Sequence, residues 1–176
     1  IGEKGGFANF TAEYINKNKT LRPGFDFRKG FGEAEIQGFN LFGNMVIPIS
    51  DKTEFYAFGG RNHRDTDAYA FTRNGGPRVV QSIYPGGYTP RITSNIIDNS
   101  MAAGFRTETA SGWKIDISNA FGKNLFHYYT KGTINASLEG ASPTEFDAGG
   151  HSLSQNTTNF DVSKNYDSVM SGLNLA

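Results

Sequence analysis

The chain has 176 residues, and its 17 basic and 17 acidic side chains give a formal net charge of zero. This balance argues against a nucleic-acid-binding protein, which would carry a basic excess. The chain contains no cysteine, which excludes a disulfide scaffold, a thiolate metal site and a cysteine nucleophile. With 22 Gly, 15 Phe and 8 Tyr, the composition favours β-structure.

The hydropathy of the chain does not decide between a soluble and a membrane protein. No window holds the roughly 18 apolar residues of a transmembrane helix, and the mean hydropathy is −0.47. A membrane β-barrel also has low mean hydropathy, because half of each strand faces a polar lumen. Since the chain begins IGEKGGFANF, without Met, we expect a processed or partial chain.

Seven segments alternate between apolar and polar residues, which is typical of β-strands with two chemically different faces. The first three are predicted over residues 6–17, 34–48 and 53–71. The third has aromatic residues on both faces, so its orientation stays open.

The other four segments are predicted over residues 96–108, 112–130 and 153–166, and from Gly172 onward. Helical periodicity is not evident in any of them. The predicted fold class is therefore an all-β antiparallel meander.

Short and long connections alternate along this meander. The short ones are residues 48–52, 109–112 and 166–172, and the long ones are residues 18–33, 72–95 and 131–152. An antiparallel meander then places all short turns at one end of the sheet and all long loops at the other. Outer-membrane barrels have this asymmetry, with short periplasmic turns and long extracellular loops. The pattern predicts part of a transmembrane β-barrel with extracellular long loops.

Alternation alone leaves open which face meets water, because the solvent face of a soluble sandwich looks the same. The loop asymmetry favours a barrel in which the apolar face contacts lipid. The residues expected to face lipid are Trp113, Ile115, Ile117, Phe160 and Val162. Those expected to face the lumen or a plug domain are Arg106, Lys114, Asp116 and Asp161.

Aromatic residues occur near both ends of the predicted spanning strands. Trp113 and Tyr166 lie beside short turns, whereas Phe126, Tyr128 and Tyr129 lie at the other end. Two interfacial aromatic girdles of a membrane protein would give this distribution. The alternative is ordinary cross-strand packing.

Several runs resemble the barrel domain of TonB-dependent receptors. They include YAFGG at Tyr56–Gly60, IYPGGYTPRI at residues 83–92 and SPTEFDAGG at residues 142–150. The resemblance implies an outer-membrane barrel of about 22 strands in a Gram-negative bacterium, closed by an N-terminal plug domain. Such a receptor imports a scarce nutrient with energy transmitted by TonB.

This chain departs from the family pattern because it has neither the plug nor the TonB box. Its seven strands would form about a third of such a barrel, so we expect a fragment from the first half. The first long loop is short for the family, and a missing piece is expected near Gly24–Phe25. The implied partners are the lipid bilayer, the plug, the TonB complex through the absent N-terminal part, a small nutrient ligand and, as a further candidate, a surface lipoprotein.

The best candidate for ligand binding is the predicted loop around residues 82–92. Tyr84, Tyr88 and Arg91 stand on a segment braced by two prolines, and such side chains capture ligands by stacking and charge. The alternative is that both tyrosines brace the loop on itself or on the plug.

The remaining clusters predict neither catalysis nor a resident cofactor or metal. The NHRDTD run at residues 62–67 lacks the glycine turn and distal glutamate of a calcium loop. His127 and His151 have no spaced partner, and Ser142 is not in a GxSxG elbow. We therefore expect a protein that is not an enzyme.

Two other functions stay open at this point. One is a barrel that forms part of an outer-membrane assembly without transporting a solute. The other is a secreted β-sandwich adhesin or lectin, which would fold alone in water. The imported substrate also stays open among a siderophore, cobalamin, an oligosaccharide and a peptide.

Overall fold

The computed structural model describes residues 5–22, 32–170 and 172–176 as one seven-stranded antiparallel sheet. Each strand is hydrogen-bonded to the next along the chain, in the order β1 to β7. The predicted all-β antiparallel meander is thereby confirmed. The strands are β1 Phe7–Lys17, β2 Glu35–Pro48, β3 Thr53–Tyr69, β4 Arg91–Glu108, β5 Trp113–Lys131, β6 Glu145–Tyr166 and β7 Leu173–Leu175.

Two predicted loop boundaries were wrong, because β4 and β6 begin earlier than the sequence indicates. The fourth strand starts at Arg91, where Ile92 and Thr93 favour extended backbone, instead of at residue 96. The sixth starts at Glu145 instead of residue 153. The second and third long connections thus shrink to residues 70–90 and 132–144.

A β-bulge explains why the start of β6 was mistaken for a loop. The register skips from Tyr128↔Gly149 to Tyr129↔Asp147, which leaves Ala148 as the extra residue. Gly149 has φ +74°, a conformation that suits glycine. The glycine-rich run that indicates a loop in the sequence therefore continues the strand.

The other predicted connections have mixed outcomes. The short turns follow β2, β4 and β6, so they lie at one end of the sheet as predicted. Gly112, at φ +80°, closes the second of them by donating to the Thr109 carbonyl at 3.0 Å. In the first long loop, the region predicted to miss a piece near Gly24–Phe25 lies outside the described residues.

The third long loop contains a short 3₁₀ helix that the sequence did not predict, at Ala136–Ala141. The Asn135 side chain caps it by accepting a hydrogen bond from the Ser137 backbone at 3.1 Å. Six residues are too few to produce a readable helical period. No helix in the described part of the chain is long and apolar enough to span a membrane.

The sheet is a single layer without a hydrophobic core. Among the described residues, Ile96 and Ala102 are the only buried apolar residues, and both belong to the central strand β4. Large apolar side chains stand exposed instead, including Phe10 at 80% and Met101 at 61%. Because a sheet buries its apolar face against a second layer or against lipid, this surface requires a cover.

Candidate functional site

The five residues predicted to face lipid lie together on one face of the sheet, which we call the apolar face. Ile115 pairs with Val162 and Ile117 pairs with Phe160 across β5 and β6. The exposed fractions of Ile117 and Phe160 are 50% and 66%. The neighbouring strand β4 adds Phe105 opposite Ile117.

The apolar residues of this face form a band that covers only part of each long strand. We call this set the apolar band: Phe10, Ala12, Tyr14, Phe39, Leu41, Met45, Ile47, Phe55, Ala57, Met101, Ala103, Phe105, Trp113, Ile115, Ile117, Phe121, Phe160, Val162, Leu173 and Leu175. Toward the long loops the same face becomes mainly polar, with Tyr69, Ile97, Leu125 and Tyr129 as its remaining apolar and aromatic residues. The polar residues at this border or, for Asn119, just inside it are called the polar belt: Asn16, Gln37, Arg61, Asn99, Asn119, Lys123, Asn156 and Thr158.

The loop-side border of the apolar band runs diagonally across the sheet. On β1, the band residue nearest the long loops is Tyr14. When the pairing is followed from strand to strand across β2 to β5, Tyr14 lies level with Ser152 of β6. On β6, the band residue nearest the long loops is Phe160, which is eight residues farther from the loops than Ser152. At about 3.3 Å per residue and about 4.8 Å between strands, this offset corresponds to a slope of about 45°. Strands of membrane barrels are tilted by about 35–45°.

On the opposite face, which we call the polar face, the four residues predicted to face the lumen line one cleft of about 770 Å³ beside the short turns. They are Arg106, Lys114, Asp116 and Asp161. The alternation of the sequence assigned these four side chains only to a common face, whereas the structure places them around one cleft.

Two cleft-side residues of β3 were missed in the sequence, because both faces of this strand looked aromatic. Tyr56 donates a hydrogen bond to Asp116 Oδ1 at 2.8 Å. Glu54 pairs with Arg106, whose guanidinium also lies 5.4 Å from the Tyr56 ring centroid. The residue that indicates the orientation of Tyr56, once the strand pairing is known, is Gly104. It lies directly opposite Tyr56, and a Cβ added there would lie 2.7 Å from the Tyr56 ring.

The polar face is cross-linked farther along the strands, but it is not uniformly polar. Asn40 donates to Glu13 at 2.6 Å, and Asn124 donates to Asp98 at 2.6 Å. Arg64 lies 3.8 Å from the same Asp98 carboxylate. Half-exposed aromatic rings, Phe42 and Phe58, interrupt this surface. It therefore suits contact with a folded domain as well as with water.

The predicted loop-end aromatic girdle is wrong for two of its three members. Phe126 and Tyr128 lie on the polar face, where their rings stack at 4.3 Å and Phe126 stacks on His151 at 5.6 Å. Tyr129 alone is on the apolar face. The sequence interpretation considered only position along the strand, although the period of two assigns Phe126 and Tyr128 to the face of Asp116.

Trp113 and Tyr166 lie beside the short turns on the apolar face, in the positions predicted for them. The Lys164 ammonium lies 5.4 Å from the Trp113 ring and 4.7 Å from the Tyr166 ring. Amphipathic rings with a cation between them are typical of a membrane–water interface. The interface itself stays a prediction.

The three predicted ligand-binding residues do not form one site. The rings of Tyr84 and Tyr88 stack at 4.7 Å, and the Tyr88 hydroxyl donates to the Arg78 carbonyl at 3.1 Å. Arg91 instead begins β4 and donates to Asp67 at 2.8 Å. The contacts favour the alternative in which the tyrosines brace their own loop, and their ligand role stays a prediction.

Gly87 is expected to be the most sensitive position of this loop. It has φ +82°, and an added Cβ would lie 2.2 Å from the Arg73 carbonyl oxygen. The Arg73–Tyr88 bridge, with N–H···O distances of 2.7 Å in both directions, would break. For Gly87→Ala we expect cleavage within residues 70–90 to be about five to ten times faster in limited proteolysis.

Gly86→Ala is the matched control for this prediction, because an added Cβ at Gly86 meets nothing within 4 Å. Its cleavage rate should stay within about twofold of the unsubstituted protein. Equal acceleration in both variants would show that the loop is not held by the bridge.

The charged NHRDTD run makes separate contacts instead of one site. His63 lies 2.7 Å from the Asn95 amide, and Asp67 is bound by Lys19 at 3.1 Å and by Arg91. Within the described ranges, no group of three or more His, Cys, Asp or Glu could hold a metal ion. The buried Ser142 hydroxyl accepts from the Asn135 backbone at 2.7 Å and donates to the Pro143 carbonyl, so its role is structural.

His127 and Asp147 form the one close histidine–carboxylate contact in the described part of the loop end, at 2.6 Å. The backbone N–H of Gly149, and then His127, lower the pKa of Asp147 below its usual value. A lowered folded-state pKa means that this stabilisation is present above the unfolded pKa and is lost as the pH falls through the folded value. Neutral pH therefore keeps the bulge contacts intact.

Comparison of this chain with models of protein families, with curated proteins and with solved structures finds no match.

Proposed function

We propose that this chain forms part of the wall of a transmembrane outer-membrane β-barrel, in a TonB-dependent receptor that imports a scarce nutrient. The observation that carries the proposal is the diagonal apolar band on an uncovered sheet face. Its slope of about 45° agrees with the strand tilt of membrane barrels. A band that follows a bilayer must cross tilted strands in this way.

The exposure of the band supports lipid as its cover. Phe10, Met101, Phe105 and Phe160 are each more than half exposed. Burying one such side chain is worth about 1.5–3 kcal/mol, so water is an unfavourable neighbour for the whole band. Monomeric soluble proteins rarely expose a continuous apolar patch of this extent.

Strand length supports the same assignment. Strands β3 to β6 contain 17, 18, 19 and 22 residues, whereas a spanning strand needs about 9–11. The polar loop-side parts of these strands would project beyond the outer surface of the membrane. The long loops between them would then meet solutes first.

The polar face supports a hydrated lumen occupied by a plug domain. In the cleft, the Glu54–Arg106 pair and the Tyr56–Asp116 hydrogen bond fix charged groups on the wall. Lys114 and Asp161 line the same cleft, and both are exposed. These groups can hold a polar domain by ion pairs and water-mediated contacts, and they leave a wetted path when it moves.

The proposed mechanism needs no catalytic residue. Solute is captured at the loop end, where the braced Tyr84–Tyr88 loop is the candidate contact, and it passes along the polar face when TonB pulls the plug. The plug is a partner of this chain through the cleft on the polar face, and the TonB complex is a partner of the complete receptor through parts outside this chain.

Uptake by cells that express the complete receptor tests this function. Radiolabelled siderophore, cobalamin, oligosaccharide and peptide would be offered to cells with and without the receptor, each in the presence and absence of TonB. We expect uptake of one class to require both proteins. Uptake that persists without TonB, or no receptor-dependent uptake of any class, would instead favour a non-transporting barrel component.

A further inference from the structure

The second long loop contains the only Asn-Gly pair of the chain, Asn74–Gly75. Both residues are exposed. The backbone nitrogen of the residue after an asparagine can reach the Cγ carbon of the asparagine side chain and close a succinimide ring. Glycine permits this approach best, because it has no Cβ and adopts a wide range of φ and ψ. The pair therefore places a nucleophilic nitrogen next to an amide carbon in a part of the loop that water reaches.

Contacts within the loop do not restrain this pair. A Cβ added at Gly75 would meet nothing within 4 Å, and the same holds for Gly76, whose φ is +77°. The hydrogen bonds of the described residues involve neither the Asn74 side-chain amide nor the Gly75 backbone N–H. Ring closure at Asn74 therefore costs neither of these groups a hydrogen bond within the protein.

Asn99–Ser100 is the natural comparison within the same chain, because serine is also a small residue. This pair lies inside β4, where Asn99 faces Arg61 of β3 on one side and Lys123 of β5 on the other. Pairing on both sides holds the backbone extended and engages the Ser100 N–H in the sheet. Arg61 also donates to the Asn99 side-chain oxygen at 3.4 Å. Asn99 therefore reaches the ring-closing geometry only when β4 opens.

We propose that Asn74 is a site of spontaneous deamidation. The Gly75 nitrogen attacks Asn74 Cγ and loses its proton, the side-chain nitrogen leaves as ammonia, and a succinimide forms. Water then opens the succinimide at either carbonyl, which gives aspartate or isoaspartate. Water is the only co-reactant, and no electron transfer takes place. In isoaspartate the main chain runs through the former side chain and is longer by one methylene group.

Isoaspartate at residue 74 is expected to release the loop from its bridge. Asn74 lies close to Gly87, since a Cβ added at Gly87 would be 2.7 Å from Asn74 Cα. The neighbouring residue Arg73 forms the bridge to Tyr88, with both N–H···O distances at 2.7 Å. A longer main chain at this place cannot keep both contacts in register. The modification thus acts on the segment in which Tyr84 and Tyr88 stack, and its chemistry is independent of the proposed function.

The first measurement follows both asparagines by peptide mass spectrometry, in the complete receptor purified in detergent and incubated at neutral and at mildly alkaline pH. We expect Asn74 to deamidate at least about tenfold faster than Asn99, because only Asn74 is free to adopt the reactive geometry. The rate at Asn74 should rise with pH, because the attacking nitrogen must lose a proton. Gly75→Ala, for which the loop has space, should slow the reaction by about fivefold or more. An Asn74 that stays intact, or that reacts no faster than Asn99, overturns the modification site.

The second measurement is the rate of chymotrypsin cleavage within residues 70–90, which reports release of the loop. After incubation, the modified receptor should be cleaved about fivefold faster than fresh receptor. Asn74→Gln is the matched control, because its longer side chain would have to close a larger ring that forms more slowly, so incubation should not change its cleavage rate.

Fresh Asn74→Asp separates the new charge from the longer main chain. This variant carries the carboxylate on an ordinary main chain, so its cleavage rate should stay within about twofold of fresh receptor. Deamidation at Asn74 without faster cleavage, or equally fast cleavage of fresh Asn74→Asp, overturns release of the loop through the main chain.

Discussion

Replacing Ile117 with arginine is expected to destabilise the membrane-inserted barrel by about 2–4 kcal/mol, the cost of a cation near the bilayer midplane. Ile117 lies in the middle of the apolar band on β5, between Trp113 and Phe121, and is 50% exposed in the isolated sheet. Urea unfolding of the complete receptor in lipid vesicles measures this change, and loss of heat-modifiable mobility on gels reports failed insertion.

Ile92→Arg provides the control, because Ile92 is the same residue type in a strand and is 42% exposed. It lies on the polar face at the loop end of β4, opposite Thr130. At this position the substitution should lower the free energy of unfolding by less than about 1 kcal/mol. In a soluble sheet the two substitutions would lower the free energy of unfolding by similar amounts, because both isoleucines are about half exposed. Equal losses of stability would therefore contradict a lipid-facing band.

Replacing Asp116 with alanine is expected to weaken closure of the lumen. The change removes a carboxylate from the cleft and leaves the Tyr56 hydroxyl without its 2.8 Å acceptor. We expect cells that express the variant receptor to become about tenfold more sensitive to a large antibiotic that the outer membrane normally excludes. A tenfold change corresponds to about 1.4 kcal/mol of lost plug binding.

Tyr56→Phe separates the charge of Asp116 from its hydrogen bond. This variant removes the hydroxyl that contacts Asp116 but keeps the carboxylate in the cleft. Its antibiotic sensitivity should stay within about twofold of the unsubstituted receptor. If cells with Tyr56→Phe were as sensitive to the antibiotic as cells with Asp116→Ala, the increased permeability would come from a change in the barrel wall itself and not from lost contact with the plug. Equal receptor levels in the membrane are required for both comparisons.

Much of the sheet could be predicted because a strand has a period of two. Alternation correctly grouped Ile115 and Ile117 on one face and Lys114 and Asp116 on the other, and the latter pair shares a cleft. The order of short and long connections was also readable, since turn residues are local signals. The strand that starts at Arg91 was missed at its beginning because Pro90 and the preceding glycines indicate a loop.

The parts that could not be predicted depend on contacts between strands. Nothing within β1 or β6 alone indicates that Tyr14 is in register with Ser152, so the slope of the band is visible only in the folded sheet. The bulge at Ala148 likewise depends on pairing with Tyr128 and Tyr129. Tyr56 could be assigned to the cleft only after its partner Gly104 was known.

A spin-label scan from Trp113 to Phe121 in the complete receptor tests the central claim most directly. The chain has no cysteine of its own, so once any cysteine elsewhere in the receptor is replaced, each position of this stretch can carry a single introduced cysteine. Oxygen concentrates in lipid, and a charged nickel chelate stays in water. We predict that Ile115 and Ile117 favour oxygen, whereas Lys114, Asp116 and Ser118 do not. Strong nickel accessibility at Ile115 and Ile117 would contradict a lipid-facing apolar face.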